Sequence, residues 1–205
     1  MGIFLPSILI IATRYDSVSR RMYRWARNLE TTLTGHTVST LYGPAVSPAS
    51  LSRMKRADFV IFFGHGEPDR LIGQKGHFSL GSGPTLVDTT TLTLFGGSRV
   101  YAVCCQAGIQ LAPAYSQVYP SASFIAYQAP FGFSYPNAAD FESIVNQSAV
   151  QLLSGTPSSA VHSNLQKEWR GLANAFLNGS KRNRRDAFLA GYAASTNSLF
   201  VSISP

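Results

Sequence analysis

Short continuous apolar runs alternate along this chain with longer stretches whose apolar residues recur every three or four positions. Pro6–Ala12 is apolar, β-branched and closed by polar Thr13-Arg14, the pattern of a strand covered on both faces. The next stretch, capped by Ser17 or Asp16 and running to about Leu33, carries Met22, Trp25, Ala26, Leu29 and Leu33 on one helical face, and Gly35 ends it. Thr37–Tyr42 reads as a second strand and Ser47–Arg56 as a short helix with Pro48 in its first turn. Asp58–Phe63 is a third buried strand that runs into Gly64-His65-Gly66. Residues 67–90, rich in glycine, predict a hairpin or flap. A short helix at Thr89–Phe95 leads to a fourth strand, Arg99–Cys105.

Gly108–Gln117 then predicts a helix interrupted by Pro113, and Ser123–Tyr127 a fifth strand. Helices at Ala139–Ser154, Pro157–Leu177 and Arg185–Ser195 precede a sixth strand at Ser198–Ile203. Buried strands alternating with amphipathic helices specify an α/β fold: a mostly parallel six-stranded sheet with helices on both faces, one domain over residues 1–205. Folds of this kind take their ligands at the carboxyl ends of the strands, where both His65 and Cys105 fall.

Composition narrows the function. With 45% hydrophobic and 13% charged residues, a 205-residue chain buries a core without disulfides or metals. Its two cysteines are adjacent and cannot staple distant segments, which points to a reducing, cytoplasmic setting and a chemical use of sulfur. No apolar run reaches the roughly 18 residues of a membrane span. The apolar start lacks the basic flank and cleavage site of a signal peptide, and Pro6 stands where myristoylation needs Ser or Thr. The formal charge of +7 admits nucleic acid as a partner, but no phosphate-binding glycine loop follows the first strand. The basic residues gather at Arg20–Arg27, Arg53–Arg56 and Lys181–Arg185. Between Val100 and Gln166 the only charges are Asp140 and Glu142. His77 and His162 form no metal-ligand spacing with the cysteines, so neither metal nor cofactor is expected.

A cysteine nucleophile needs a histidine to help form the thiolate and to protonate the leaving amine. It also needs backbone donors where the oxyanion develops. Glycines on both sides of His65 let a peptide approach closely, and the amides of Gly66 and Cys105 are candidate oxyanion donors. Strand alternation does not choose between Cys104 and Cys105 when both faces are covered. Position favours Cys105, which stands at the strand exit, whereas Cys104 lies one residue deeper and reads as an inert buried thiol.

Phe59-Val-Ile-Phe-Phe-Gly-His-Gly66, followed 40 positions after its histidine by the second cysteine of Val100-Tyr-Ala-Val-Cys-Cys-Gln-Ala-Gly108, resembles the caspase-like cysteine peptidases, and most nearly the bacterial CHAT type. The likeness covers about residues 57–155, and one departure is Cys104, where the family has Ala or another small residue. It implies a caspase-like three-layer sandwich and peptide-bond hydrolysis by His65 and Cys105 through a thioester. It also implies that Asp140, after the strand and loop Ser123–Asn137, recognises a basic P1 side chain, with Phe131, Phe133 and Tyr135 walling the pocket. An Asp opening a helix reads equally as an N-cap. The resemblance further implies a protein or peptide substrate, an activating or inhibitory protein partner, and a role in bacterial defence or cell death. A catalytically silent interaction module and a basic nucleic-acid-binding domain are the alternatives. Lys181–Arg185 reads as a solvated loop, as a self-processing site or as a nucleic-acid contact.

Overall fold

The computed structural model describes residues 6–76 and 83–204. In chain order it comprises β1 (Ser7–Ala12), α1 (Ser17–Thr32), β2 (Thr37–Tyr42), α2 (Pro48–Leu51), β3 (Phe59–Phe63), β4 (Gly66–Glu67), β5 (Arg70–Ile72), β6 (Thr85–Asp88), β7 (Arg99–Val103), α3 (Leu111–Val118), β8 (Phe124–Tyr127), α4 (Ala138–Leu153), α5 (Ser158–Leu177), α6 (Ala187–Phe200) and β9 (Val201–Ser204). Six strands form the main sheet in the order β2-β1-β3-β7-β8-β9. All neighbours are parallel except β9, which runs antiparallel to β8. The architecture is thus α/β with a six-stranded, mostly parallel sheet, as its pattern of covered strands predicts.

The pleat divides the core in two. Ile8, Ile10, Ile61, Phe63, Tyr101 and Val103 pack with α1, α4, α5 and α6 on one face. Leu9, Ile11, Val60, Phe62, Ala102 and Cys104 pack with α3 and the small β4-β5-β6 sheet on the other. Helix α1 shows why the first face holds. Met22, Trp25, Ala26 and Leu29 are all buried, and burying a large apolar side chain such as Met or Leu contributes about 1.5–3 kcal/mol.

Several boundaries depart from the sequence reading. Helix α2 ends at Leu51 because the polar stretch after it has no apolar face to bury. The flap is a three-stranded antiparallel sheet over its described part, and His77 lies outside the described residues. The stretch before β7 winds as a single 3₁₀ turn, Leu92–Phe95. Pro113 does not break α3, since it occupies the first turn, where its missing N–H costs nothing. Strand β7 stops at Val103, so both cysteines lie beyond it.

Helix α6 continues to Phe200 and absorbs the first residues expected in the last strand. Its small residues Ala187, Ala190, Gly191 and Ala194 face inward, and a β-carbon on Gly191 would stand 2.5 Å from Leu177 Cγ. This close approach to α5 holds the helical pitch through Ser198, whose hydroxyl donates to the Gln166 carbonyl at 3.0 Å. Phe188, Leu189, Tyr192 and Leu199 are left exposed on the outer side. Among the described residues no helix is long and apolar enough to cross a membrane.

Candidate active site

The site is built where three parallel strands end side by side. Strands β3 and β7 are paired in register, with Phe63 opposite Val103. His65 is two residues past Phe63, and Cys105 two past Val103. The ladder continues beyond both strands, because the Gly64 amide donates to the Val103 carbonyl at 3.3 Å. Neighbouring strands lie about 4.8 Å apart, so the two loops leave the sheet as close neighbours. On the other side of β3 the Thr13 amide donates to the Phe63 carbonyl at 3.1 Å, bringing the end of β1 to the same place. The sheet is extended to one side of β1 by β2 and to the other by β3, which makes this crevice a topological switch point.

The structure separates the two sulfurs by face. Cys104 is 1% exposed and belongs to the α3 side of the core. Cys105 is half-buried and packs against the α1–α4 side. Burial pushes the Cys104 thiol well above its ordinary range, an effect the neighbouring Cys105 reinforces. Burial also raises the Cys105 thiol, and an N–H from Phe131 offsets part of that. A resting thiol at Cys105 therefore needs a base beside it to ionise at neutral pH.

The backbone after Cys105 is strained. Gln106 has φ +58°, uncommon for a residue with a β-carbon, and the Ala107 amide donates to the Cys105 carbonyl at 2.7 Å to close a three-residue γ-turn. Such conformations cost about 1–3 kcal/mol and persist when their surroundings over-determine them. Here they do: the Gln106 amide donates to Ala129 O, Gly108 to Tyr127 O, and Gln110 and Leu111 both to Pro68 O. The last pair ties the turn to the β4–β5 hairpin that follows His65. The sequence carries no sign of this turn, since a glycine would have been expected at its centre.

Gly66 is needed for the same contact. A β-carbon there would stand 2.6 Å from the Cys105 carbonyl oxygen and 2.8 Å from Cys104 Sγ. The two loops meet backbone to backbone, which only glycine permits. Gly64 is equally confined, with Thr13 Oγ1 2.7 Å and the Phe62 ring 2.8 Å from the position of its missing β-carbon.

No family model, curated protein or solved structure matches this chain.

The acid beside His65 is one that the sequence reading took only as a helix cap. Asp16 Oδ2 lies 2.8 Å from His65 Nε2, an ion pair whenever the ring is protonated, although the ring N–H is not aligned on the carboxylate. Oδ1 is held separately: the Ser19 amide and hydroxyl both donate to it at 2.7 Å, while the Asp16 amide donates back to Ser19 Oγ at 3.1 Å. Burial works to raise the Asp16 carboxyl, but the Ser19 donors and the His65 ring outweigh it and hold it below the ordinary range. The Tyr15 ring lies against the imidazole, centroids 5.3 Å apart and 32° between planes. The available signal was positional, since Asp16 follows β1 as His65 follows β3.

Asp140 is placed elsewhere. It sits in the first turn of α4, where Lys181 Nζ approaches Oδ1 at 2.5 Å and Arg184 approaches Oδ2 at 3.0 Å. The sequence around Asp140 lacks a cation, but α5 runs back along α4 and returns a basic loop to its start. Asn137 secures that loop by donating to the Arg185 carbonyl at 2.8 Å. A cavity of about 370 Å³ lies beside Asp140, lined by α4, α5 and Lys181, and neither His65 nor Cys105 borders it.

The aromatic residues expected to wall that pocket do not line it. Phe131 is buried against Tyr127, Trp25 and Trp169, and Phe133 packs against Trp25, Tyr135 and Phe141, because the loop is drawn into the core by its apolar rings. Tyr135 stays exposed, with Arg21 over its ring. His162 bonds the Val201 carbonyl through Nε2 at 3.1 Å. Among the described residues no group of acids, histidines and cysteines could hold a metal ion.

Proposed function

We propose that this chain is a cysteine endopeptidase of the caspase-like type, acting through His65 and Cys105. The observation that carries the reading is the shared register of β3 and β7, which sends a histidine and a half-buried cysteine off the same end of adjacent parallel strands. His65 takes the proton from Cys105 Sγ, and the thiolate adds to the carbonyl carbon of the scissile peptide. The amides of Gly66 and Cys105 donate to the resulting oxyanion. Collapse of the tetrahedral adduct breaks the C–N bond, His65 protonates the departing amine, and a thioester remains. Water then gives its proton to His65, adds to the thioester and releases the acid and the thiol.

A preference for Arg or Lys at P1 belongs to the same proposal. Asp140 is the acid the resemblance assigns to it, and that carboxylate already holds two basic side chains of its own chain. The preference is therefore proposed for a state in which Lys181 and Arg184 have left it.

The test is covalent labelling with an arginyl chloromethyl ketone, followed by peptide mapping, alongside cleavage of a peptide library. Label on Cys105, and cleavage lost in Cys105→Ala, is expected. Label on neither cysteine, with no cleavage of any peptide, would instead mark the domain as a silent interaction module.

A further inference from the structure

We infer that Asp16 is a positioning residue for His65, making the site an Asp-His-Cys array rather than a dyad; this rests on the assignment of His65 and Cys105 above. Three observations converge. Asp16 Oδ2 approaches Nε2 to 2.8 Å, so the ring nitrogen left for a proton from Cys105 is Nδ1. The carboxylate is itself fixed, because Oδ1 takes both Ser19 donors and Ser19 is fully buried. The imidazole is also confined on its face by Tyr15. A carboxylate held this firmly beside the ring limits its orientation and, as a fixed negative charge, favours the imidazolium that forms when the thiol ionises.

Around this contact Arg20 Nε donates to the Asp16 carbonyl at 3.0 Å. His65 meets Asp16 from the start of α1, and Tyr15 feels the charges of Asp16 and Glu67. Glu67 itself is bound to Arg70. Asp16 is thus the acid in contact with the imidazole among the described residues.

Asp16 has two jobs that substitution can separate. Asparagine is as good an N-cap as aspartate, so Asp16→Asn keeps the bond from the Ser19 amide and removes only the charge at His65. Gly155→Ala is the stability control: its φ of +86° makes the substitution strained, nothing lies within 4 Å of the added carbon, and Asp16 and Ser19 are left as they are. The readout is the rate at which iodoacetamide alkylates Cys105 in a Cys104→Ala background, which requires neither substrate nor activator. Thermal unfolding is followed in parallel.

His65→Ala is expected to slow alkylation at pH 7 by about a hundredfold, the size of a lost general base. Asp16→Asn is expected to slow it about tenfold, the coupling of two contacting groups, with little change in melting temperature. Gly155→Ala is expected to melt earlier yet alkylate within about twofold of the parent. Asp16→Glu, which restores the charge, is expected to recover part of the rate.

Alkylation of Asp16→Asn at the parent rate, with His65→Ala slow, would overturn the role of Asp16 and leave the dyad standing. Parent rates in both would overturn the dyad itself. A tenfold loss in Gly155→Ala as well would show that the effect follows stability alone and would also overturn the assignment.

Discussion

Phe63 and Val103 face each other in register on β3 and β7, and the chemistry of this chain is counted from that pair. Two steps beyond each, the chain presents His65 and Cys105. The alternation that carries Phe63 and Val103 into the α1–α4 side of the core carries Cys105 to the same side, while Cys104 goes to the other. The α1 side is where Asp16 stands, at the start of its helix.

Cys105→Ala is expected to abolish peptide cleavage and chloromethyl ketone labelling. Cys104→Ala is expected to retain activity within a few-fold and to lose about 1 kcal/mol of stability for the sulfur it removes from a filled core. Fluorogenic assays and urea denaturation of both variants check the pair. Equal loss of activity in the two would contradict the division by face.

Gly66→Ala is expected to lose activity even though the change is a single methyl group. The added carbon meets a backbone carbonyl at 2.6 Å, which cannot rotate away, so the loop that bears His65 must move off the Cys105 turn. Overpacking of this kind costs about 1–3 kcal/mol. Gly155→Ala is a useful contrast: its φ of +86° makes it strained, yet nothing lies within 4 Å, so it should lose stability and keep activity. Melting temperature and iodoacetamide labelling, measured together on both variants, separate the two causes.

Lys181→Ala with Arg184→Ala is expected to release Asp140 and to raise cleavage after Arg or Lys relative to cleavage after uncharged residues. Unchanged preference would assign Asp140 to holding the basic loop alone. The stability effect of losing these partly exposed pairs should stay near about 1 kcal/mol and shrink with added salt. Selectivity on a P1-varied peptide set at two salt concentrations provides the measurement.

Acid is expected to destabilise the fold through three carboxylates held below their ordinary range. Asp58 accepts the Ser7 amide and hydroxyl, Asp88 the Thr90 and Thr91 donors, and Asp16 those of Ser19, against the opposing effect of burial. In each the folded form binds its proton less readily than the unfolded chain. Their contribution is therefore complete above the ordinary carboxylate value of about 4 and is lost as pH falls below it through the depressed folded values. Melting curves at successively lower pH should fall fastest in that window, and Asp58→Asn should flatten the fall. A melting temperature independent of acid would refute the assignment.

Local patterning was enough for most of the framework. Short apolar runs made β1, β3 and β7 legible as covered strands, and the spacing of Met22, Trp25, Ala26 and Leu29 marked the buried face of α1. Those features arise from residues a few positions apart, where side-chain direction follows directly from backbone geometry. The placement of His65 and Cys105 at strand ends was legible for the same reason.

What the tertiary structure decided depends on contacts between distant segments. Asp16 reads as a cap until the pairing of β1 with β3 brings it to His65. Asp140 reads as an unpartnered acid until α5 doubles back and delivers Lys181 and Arg184. Gln106 adopts its positive φ because the surrounding hydrogen bonds compel it, and its own chemistry would have argued otherwise. By itself the sequence determined where most strands and helices lie, though not where each ends, and which reactive groups stand near those ends. Only the packed fold determined which of those groups touch, because contact across a sheet is set by strand order and register rather than by distance along the chain.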